Sequence, residues 1–140
     1  MSWAESRGLP LLSLQSGSWN VTGARQTPYT VNLLQTFLRS CDGRGVVFFD
    51  ELDKFSCLNS DWCRAVLQEV YALLDHRVDT FLDWTSADES LLKQAFIVGA
   101  GTWQNDFNHG WGKISSREIL ESQSAVPQEL LYRFNERIIL

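Results

Sequence analysis

Two adjacent carboxylates follow a short apolar segment in the first half of the chain. Residues 46–49 read Val-Val-Phe-Phe, and Asp50 and Glu51 come directly after them. Four apolar residues in succession are typical of a strand that is buried on both faces, and open α/β sheets bind ligands at the carboxyl ends of their strands. One carboxylate could hold Mg²⁺ beside phosphate groups while the other polarises an attacking water. The segment therefore predicts phosphate chemistry, but a structural strand that ends in two solvated acids would have the same pattern.

The residues that follow favour the first interpretation. Residues 50–54 read Asp-Glu-Leu-Asp-Lys, which has the form of a Walker B motif and resembles the AAA+ ATPases, in particular the protein unfoldases of the ClpX, HslU and Lon branch. Two later segments match this family in order and spacing. Residues 95–102 resemble the strand that ends at the sensor 1 position, and residues 126–134 resemble the helix that carries the arginine finger. The resemblance extends over residues 9–140, which is nearly the whole sequence.

The resemblance implies ATP and Mg²⁺ as ligands and assigns roles to four residues. Asp50 would hold Mg²⁺, mainly through water, because this ion keeps several of its waters in proteins. Glu51 would orient and polarise the attacking water. Thr102 stands at the sensor 1 position, where its hydroxyl would bond the water or the γ-phosphate; closing a strand end is its alternative role. Arg133 would reach the ATP of a neighbouring subunit and offset charge on the γ-phosphate, with Arg137 as the second choice.

The phosphate-binding loop of this family has no match in the sequence. A P-loop reads G-x-x-x-x-G-K-[ST], whereas the only Gly-Lys pair, Gly112-Lys113, has Phe107 at the first Gly position and Ile114 at the Ser/Thr position. We therefore expect residues 1–140 to be a partial AAA+ core, without its first strand, P-loop or lid domain, from a truncated or split reading frame. By themselves they are expected to bind ATP poorly and to be marginally stable, because the missing strand would leave sheet edges unpaired.

Apolar periodicity predicts the elements that would position these residues. The predicted strands are residues 9–15, 46–49, 96–99 and one that begins at Arg137. The predicted helices are residues 31–40, with Thr30 as the N-cap, and residues 61–75, 117–122 and 127–134. Residues 76–89 alternate in polarity, which predicts a short strand or hairpin. This order predicts an α/β fold, and the resemblance implies a partial three-layer P-loop NTPase sandwich with a mostly parallel sheet.

Residues 17–28 are predicted to form a loop, and the resembling family has its first pore loop at this place. Trp19 and Tyr29 are the aromatic candidates for that loop, with packing as their favoured role.

Composition limits the class of protein. With 44% hydrophobic and 21% charged residues, the 140-residue chain has the profile of one globular domain. A net charge of −5 and a pI near 4.9 make nucleic acid an unexpected partner. The sequence has no apolar run of membrane-spanning length and no signal-peptide pattern, and its three cysteines suit a reducing compartment, so the expected location is cytoplasmic.

Three functions fit these features. The first is an AAA+ ATPase core that couples Mg²⁺-dependent ATP hydrolysis to protein remodelling or unfolding, in a homo-oligomeric ring that the family would make a hexamer. The second is a non-hydrolysing AAA-like subunit that lends Arg133 to a P-loop-bearing partner in a mixed ring. The third is a structural α/β domain in which the acidic strand end has no chemical role.

Overall fold

The structure is a computed structural model that describes residues 8–52 and 60–100, together with Leu130, Arg133 and Phe134. The strands are β1 (Leu11–Gln15), β2 (Val46–Asp50) and β3 (Phe96–Gly99), and the helices are α1 (Thr30–Cys41), α2 (Asp61–Leu74) and α3 (Ser86–Gln94). Two short 3₁₀ helices, Ser16–Ser18 and Val78–Thr80, follow β1 and α2. The predicted helix of residues 117–122, the last predicted helix apart from the three single residues named above, and the strand predicted from Arg137 lie outside the described residues.

The three strands form one parallel sheet in the order β1-β2-β3. The pairing register brings Gln15 opposite Asp50 and Phe49 opposite Gly99, so the three strands end at the same edge. Parallel neighbours joined by long crossovers that contain helices define an α/β arrangement. The predicted α/β fold with a parallel sheet is therefore confirmed for the described part of the chain.

The helices and one face of the sheet share a single core. Leu14, Val47 and Phe49 alternate onto this face and join the buried cluster that contains α1 and α2 side chains. The helical contribution to that cluster is Val31, Leu34, Leu38, Cys63, Val66, Leu67, Val70, Ala72 and Leu73. Both crossovers pass to the adjacent strand in the same direction, and right-handed connections of this kind place their helices on the same side of a sheet.

The opposite face of the sheet is less completely covered at β3. Phe96 and Val98 are paired in register with Val46 and Phe48, and they are 60% and 38% exposed. Val46 is fully buried, and Phe48 is half-buried. Apolar strand residues that remain exposed are the kind of surface that another element or molecule usually covers.

Helix α2 agrees with its prediction except at one side chain. Ser60 caps its first turn by accepting a hydrogen bond from the Cys63 N–H at 3.4 Å. Val66, Val70 and Leu73 are buried as their spacing predicts. Trp62, which the same spacing assigns to the core face, is exposed. Cys63 is buried instead, and Trp62 lies at the margin of the buried stripe.

The prediction of a strand or hairpin over residues 76–89 is wrong. The structure has the 3₁₀ helix Val78–Thr80 followed by α3, Ser86–Gln94. Thr85 and Asp88 form a reciprocal capping box at the start of α3, which satisfies two backbone N–H groups and starts a helix. The alternation of apolar and polar residues predicted a strand with one buried face. Leu82, one of these apolar residues, is instead 95% exposed.

The loop before α1 is closed at its base. Asn20 N–H donates to Thr30 Oγ1 at 2.7 Å, and Thr30 N–H donates to Asn20 O at 3.0 Å. The Asn20 side chain also donates to the Gln26 and Pro28 carbonyls. The two ends of the loop of residues 21–29 therefore lie next to each other. In the described segments, no helix is long and apolar enough to span a membrane.

Candidate functional site

The carboxyl edge of the sheet brings together residues from two strand ends. Ser16 and Gly17 follow β1, while Asp50 and Glu51 end β2, and the register places Gln15 beside Asp50. The Ser16 hydroxyl is buried and donates to Asp50 O at 2.9 Å. This bond fixes the ends of β1 and β2 against each other, so that the two carboxylates project from a rigid element.

The Asp50 carboxylate is oriented by the backbone that follows it. Its Oδ1 accepts a hydrogen bond from the Glu51 N–H at 2.8 Å. A carboxylate held in this way by its own chain has a defined direction before any ligand arrives. Carboxylate oxygens are ligands that Mg²⁺ prefers, usually one or two of them with water and substrate phosphates completing the shell.

Glu51 has an unusual backbone conformation. Its φ is +59°, in the left-handed region that residues other than glycine seldom adopt. Such conformations cost about 1–3 kcal/mol and concentrate at active sites and ligand-binding turns. The chain continues to Leu52, whose N–H donates to Ala100 O at 3.0 Å, while Ala100 N–H donates to Phe49 O at 2.8 Å. Hydrogen bonds of Ala100 with Phe49 and Leu52, on either side of Asp50 and Glu51, therefore hold this turn between β2 and the end of β3.

The Glu51 carboxylate lies directly over Gly17. A Cβ atom on Gly17 would be 2.7 Å from Glu51 Oε2, which is closer than ordinary contacts allow. Gly17 permits this close approach through its missing side chain rather than through its backbone, because its φ is not positive. The carboxylate thus occupies a space that exists only because residue 17 has no side chain.

Ser16 and Gly17 are site residues that sequence reasoning missed. The available signal was the Ser-Gly-Ser sequence at residues 16–18, directly after a predicted strand. It could be read as a tight turn, but its contact with Glu51 depends on β1 pairing with β2 in one particular register. That pairing is non-local, and periodicity within either segment does not specify it.

Trp19 connects this edge with α2. Its ring is buried and stacks on Phe49 with centroids 5.9 Å apart, and its Nε1–H donates to Glu69 Oε1 at 2.9 Å. Glu69 Oε2 also accepts from the N–H and hydroxyl of Thr22. Trp19 is therefore a packing residue, as favoured from the sequence, and it supports the strand residue that precedes Asp50.

Arg133 contacts the end of α2 in the same chain. Its Nε lies 3.0 and 3.1 Å from the two carboxylate oxygens of Asp75, and its guanidinium carbon lies 4.2 Å from the centre of the Tyr71 ring. No contact of Arg133 with Asp50 or Glu51 is found among the described residues. Thr102, the sensor 1 candidate, lies outside the described residues, as does Arg137.

A second charged cluster lies between α1 and α3. Asp88 is only 2% exposed, and its carboxylate binds Arg39 Nε at 2.8 Å and Arg39 Nη2 at 2.9 Å. Gln35 Nε2 and the Thr85 N–H donate to the same carboxylate. The Arg39 guanidinium, together with these donors and against the effect of burial, holds the pKa of Asp88 well below its usual range. The Asp88 carboxylate on α3 thus binds Arg39 and Gln35 on α1, so this cluster joins the two helices.

Two comparisons bear on the identity of the site. Neither a protein-family model nor a curated protein matches this chain. Within the described ranges, no group of three or more His, Cys, Asp or Glu side chains could hold a metal ion. The features that bear on function are therefore the geometry at the end of β2 and the sequence of residues 50–54.

Proposed function

We propose that this chain is part of an AAA+ type ATPase core of the P-loop NTPase fold, which couples ATP hydrolysis to the remodelling or unfolding of a protein. One observation carries the proposal: two adjacent carboxylates stand at the carboxyl end of the central described strand of a parallel sheet. The left-handed backbone at Glu51 supports it, because strain of this kind is maintained where the direction of a side chain matters.

Asp50 is the proposed magnesium residue. Its orientation by the Glu51 N–H fits an ion that accepts one carboxylate and keeps waters and phosphate oxygens in its other positions. When bound, Mg²⁺ would neutralise phosphate charge during transfer. The absence of a three-residue cluster in the described part of the chain is compatible with this ion, because Mg²⁺ seldom uses a cage made only of protein side chains.

Glu51 is the proposed residue that orients the attacking water. A carboxylate does this by accepting a hydrogen bond from the water, which requires a fixed position relative to the phosphate. The Ser16–Asp50 bond at the end of β2 and the space over Gly17 support this role, because they favour one direction for the Glu51 side chain. Thr102 and Arg133 complete the proposed site from the family resemblance, Thr102 at the sensor position and Arg133 from a neighbouring subunit of a ring.

The proposal is tested by Glu51→Gln in the native protein, purified from its source with any subunit that accompanies it. Turnover of ATP should fall by about a hundredfold or more, since positioned acid–base groups contribute roughly 10²–10⁴ in rate. Bound ATP should be retained, because the amide keeps the shape of the side chain. Asp83→Asn, which removes an exposed carboxylate elsewhere, is the matched control and should leave turnover unchanged.

Two other outcomes would change the assignment. Equal turnover for Glu51→Gln and the wild type would contradict the proposal and favour a structural α/β domain. Hydrolysis that depends on a P-loop-bearing partner, and that survives Glu51→Gln but is lost with Arg133→Ala, would instead assign the chain as the non-hydrolysing subunit. The intact mass of the native preparation shows whether the chain is part of a longer protein. Its subunit composition shows whether a P-loop-bearing partner is present.

A further inference from the structure

Among the described residues, two side chains of different chemistry contact Arg133 within its own chain. Its Nε approaches both oxygens of Asp75 at 3.0 and 3.1 Å, and its guanidinium stacks on the Tyr71 ring at 4.2 Å. The Arg133 side chain is 26% exposed, so these contacts remove most of it from solvent. A carboxylate and an aromatic face are the two surfaces that a guanidinium binds best in proteins.

The surface that receives Arg133 is built into α2. Asp75 is the residue that ends the helix, and its N–H donates to Tyr71 O at 2.9 Å. Residues four apart lie on the same side of a helix, so the Asp75 carboxylate and the Tyr71 ring are adjacent before Arg133 arrives. Asp75 also lies 3.6 Å from Arg77 Nη2, which keeps its carboxylate at this end of α2.

The backbone at Arg133 is anchored independently of these contacts. Leu130 is fully buried, and Arg133 N–H donates to Leu130 O at 3.2 Å. The Phe134 ring reaches Gly99, where a Cβ atom would lie 2.8 Å from it. The side chain of Arg133 could therefore change its rotamer and leave Asp75 while the backbone stays on the core.

We propose that Asp75 and Tyr71 form a latch that holds Arg133 inside its own subunit until a neighbouring subunit presents ATP. This inference rests on the proposed function, in which Arg133 acts on the nucleotide of a neighbour. The Asp75 carboxylate and a γ-phosphate compete for the same guanidinium, because both bind it through paired oxygens. Release of the latch is thus coupled to the arrival of a charged phosphate at the subunit interface.

The test is the rate of ATP turnover of the native oligomer as a function of protein concentration. Asp75→Asn should raise the rate at subsaturating protein by about two- to fivefold, which is the range for loss of a partly exposed ion pair. Asp75→Glu, which retains the carboxylate, should keep the wild-type rate. Asp79→Asn removes an exposed carboxylate four residues away and is the matched control.

A gain in rate separates a latch from a structural contact. If Asp75 only supported the fold, Asp75→Asn would lower the unfolding temperature and would leave the rate equal or lower, and that result would overturn the latch. If Asp75→Asn lowers the unfolding temperature by more than a few degrees, Tyr71→Leu replaces it, because leucine keeps apolar packing and removes the ring. An unchanged or lower rate for that variant would likewise overturn the proposal.

Failure of the latch and failure of the ATPase proposal are distinguishable. Loss of turnover with Glu51→Gln and with Arg133→Ala, but no gain with Asp75→Asn or Tyr71→Leu, would reject the latch alone. Unchanged turnover with Glu51→Gln would reject the ATPase assignment. Unchanged turnover with Arg133→Ala, when Glu51→Gln is inactive, would reject both the arginine finger and the latch that depends on it.

Discussion

Glu51 combines a costly backbone conformation with a contact that only glycine permits. Its φ of +59° and the approach of its carboxylate to Gly17 are independent features, one local and one between strands. A solvated acid at the end of a structural strand requires neither of them. The two together indicate that the direction of this side chain is specified, which a binding or catalytic role would require.

Gly17→Ala is expected to separate activity from stability. The added Cβ would displace the Glu51 carboxylate, since it would lie 2.7 Å from Oε2. The atom that must move is the end of a flexible side chain, so the free energy of unfolding should change by less than about 1 kcal/mol. On the proposed function, turnover of ATP should fall by about ten- to a hundredfold, because the displacement would misplace the carboxylate that is proposed to orient the attacking water.

Ser18→Ala is the control for this substitution. It adds no atom near Glu51 and removes only an exposed hydroxyl that donates to Gln15 O at 3.4 Å. Its turnover and unfolding midpoint should match those of the wild type. Wild-type turnover for Gly17→Ala, with thermal unfolding also unchanged, would show that the position of the Glu51 carboxylate is unimportant.

At the scale of elements, α1 and α3 are joined through Asp88. The Arg39 partner is 52% exposed while Asp88 is 2% exposed, so the ion pair lies at the surface on one side only. Its contribution must be discounted for solvent on the Arg39 side. The capping box and the Gln35 bond add further donors to a carboxylate that would otherwise be buried without compensation.

Asp88→Asn should lower the free energy of unfolding by about 1–3 kcal/mol at neutral pH, because buried donors lose a charged acceptor. The pKa of Asp88 is depressed by folding, so its contribution is present above the unfolded pKa of about 3.9 and is lost as pH falls through the folded pKa. The variant should therefore lose less stability than the wild type on acidification below about pH 4. Chemical denaturation across pH measures both effects.

Asp61→Asn provides the comparison for the Asp88 substitution. Asp61 pairs with Arg64 on α2, but its side chain is 97% exposed. An exposed pair at this spacing contributes about 0.5 kcal/mol or less. Equal losses of stability for the two variants would contradict the view that Asp88 is a structural link.

The elements differ in how far sequence could predict them. Strand β2 was predictable because four consecutive apolar residues suit a strand covered on both faces, and the buried stripe of α2 followed from helical spacing. The region before α3 was not predictable in this way, because the apolar residues Val78 and Leu82 alternate with polar ones as in a strand. The signal for the helix is the capping box that begins at Thr85. Asp88 acts through Arg39, a residue 49 positions away, and no local pattern reveals such a partner.

The residues of the candidate site also differ in how far the sequence could predict them. The position of Asp50 and Glu51 at the carboxyl end of β2 was predictable because they directly follow the apolar run, while their chemical roles stay predictions. Gly17 was not, because its importance arises only when β1 pairs with β2. The contact between Arg133 and Asp75 spans 58 positions, and it depends on tertiary packing that periodicity does not describe.

At the scale of the whole molecule, the sheet has one face that helices cover and another on which β3 is exposed. Phe96 and Val98 are apolar and β-forming, as expected for a strand with neighbours on both sides. Both side chains are only partly covered, with Phe96 60% and Val98 38% exposed.

We expect the isolated 140-residue chain to self-associate through this surface. Replacing Phe96 and Val98 together with threonine should raise the concentration at which the chain remains monomeric by about a hundredfold or more, since each buried apolar side chain contributes about 1.5–3 kcal/mol to association. Threonine preserves β-propensity, so the sheet should persist. Sedimentation equilibrium of both proteins measures the difference.

Leu82→Thr is the reference substitution, because Leu82 is 95% exposed and isolated from the sheet. It should leave association unchanged. A wild-type chain that stays monomeric and unfolds cooperatively at high concentration would contradict both the exposed-surface argument and the expectation of marginal stability.

The paired hydrogen bonds between Asn20 and Thr30 have a consequence for variation in length. They close the loop of residues 21–29 at its base, so the ends of that loop are already fixed beside each other. The entropy of closing a loop grows only with the logarithm of its length, by about 0.6 kcal/mol for each doubling. Insertions between Val21 and Pro28 should therefore reduce the free energy of unfolding only slightly. This loop can vary in sequence and length while the pairing register of β1 and β2 stays constant.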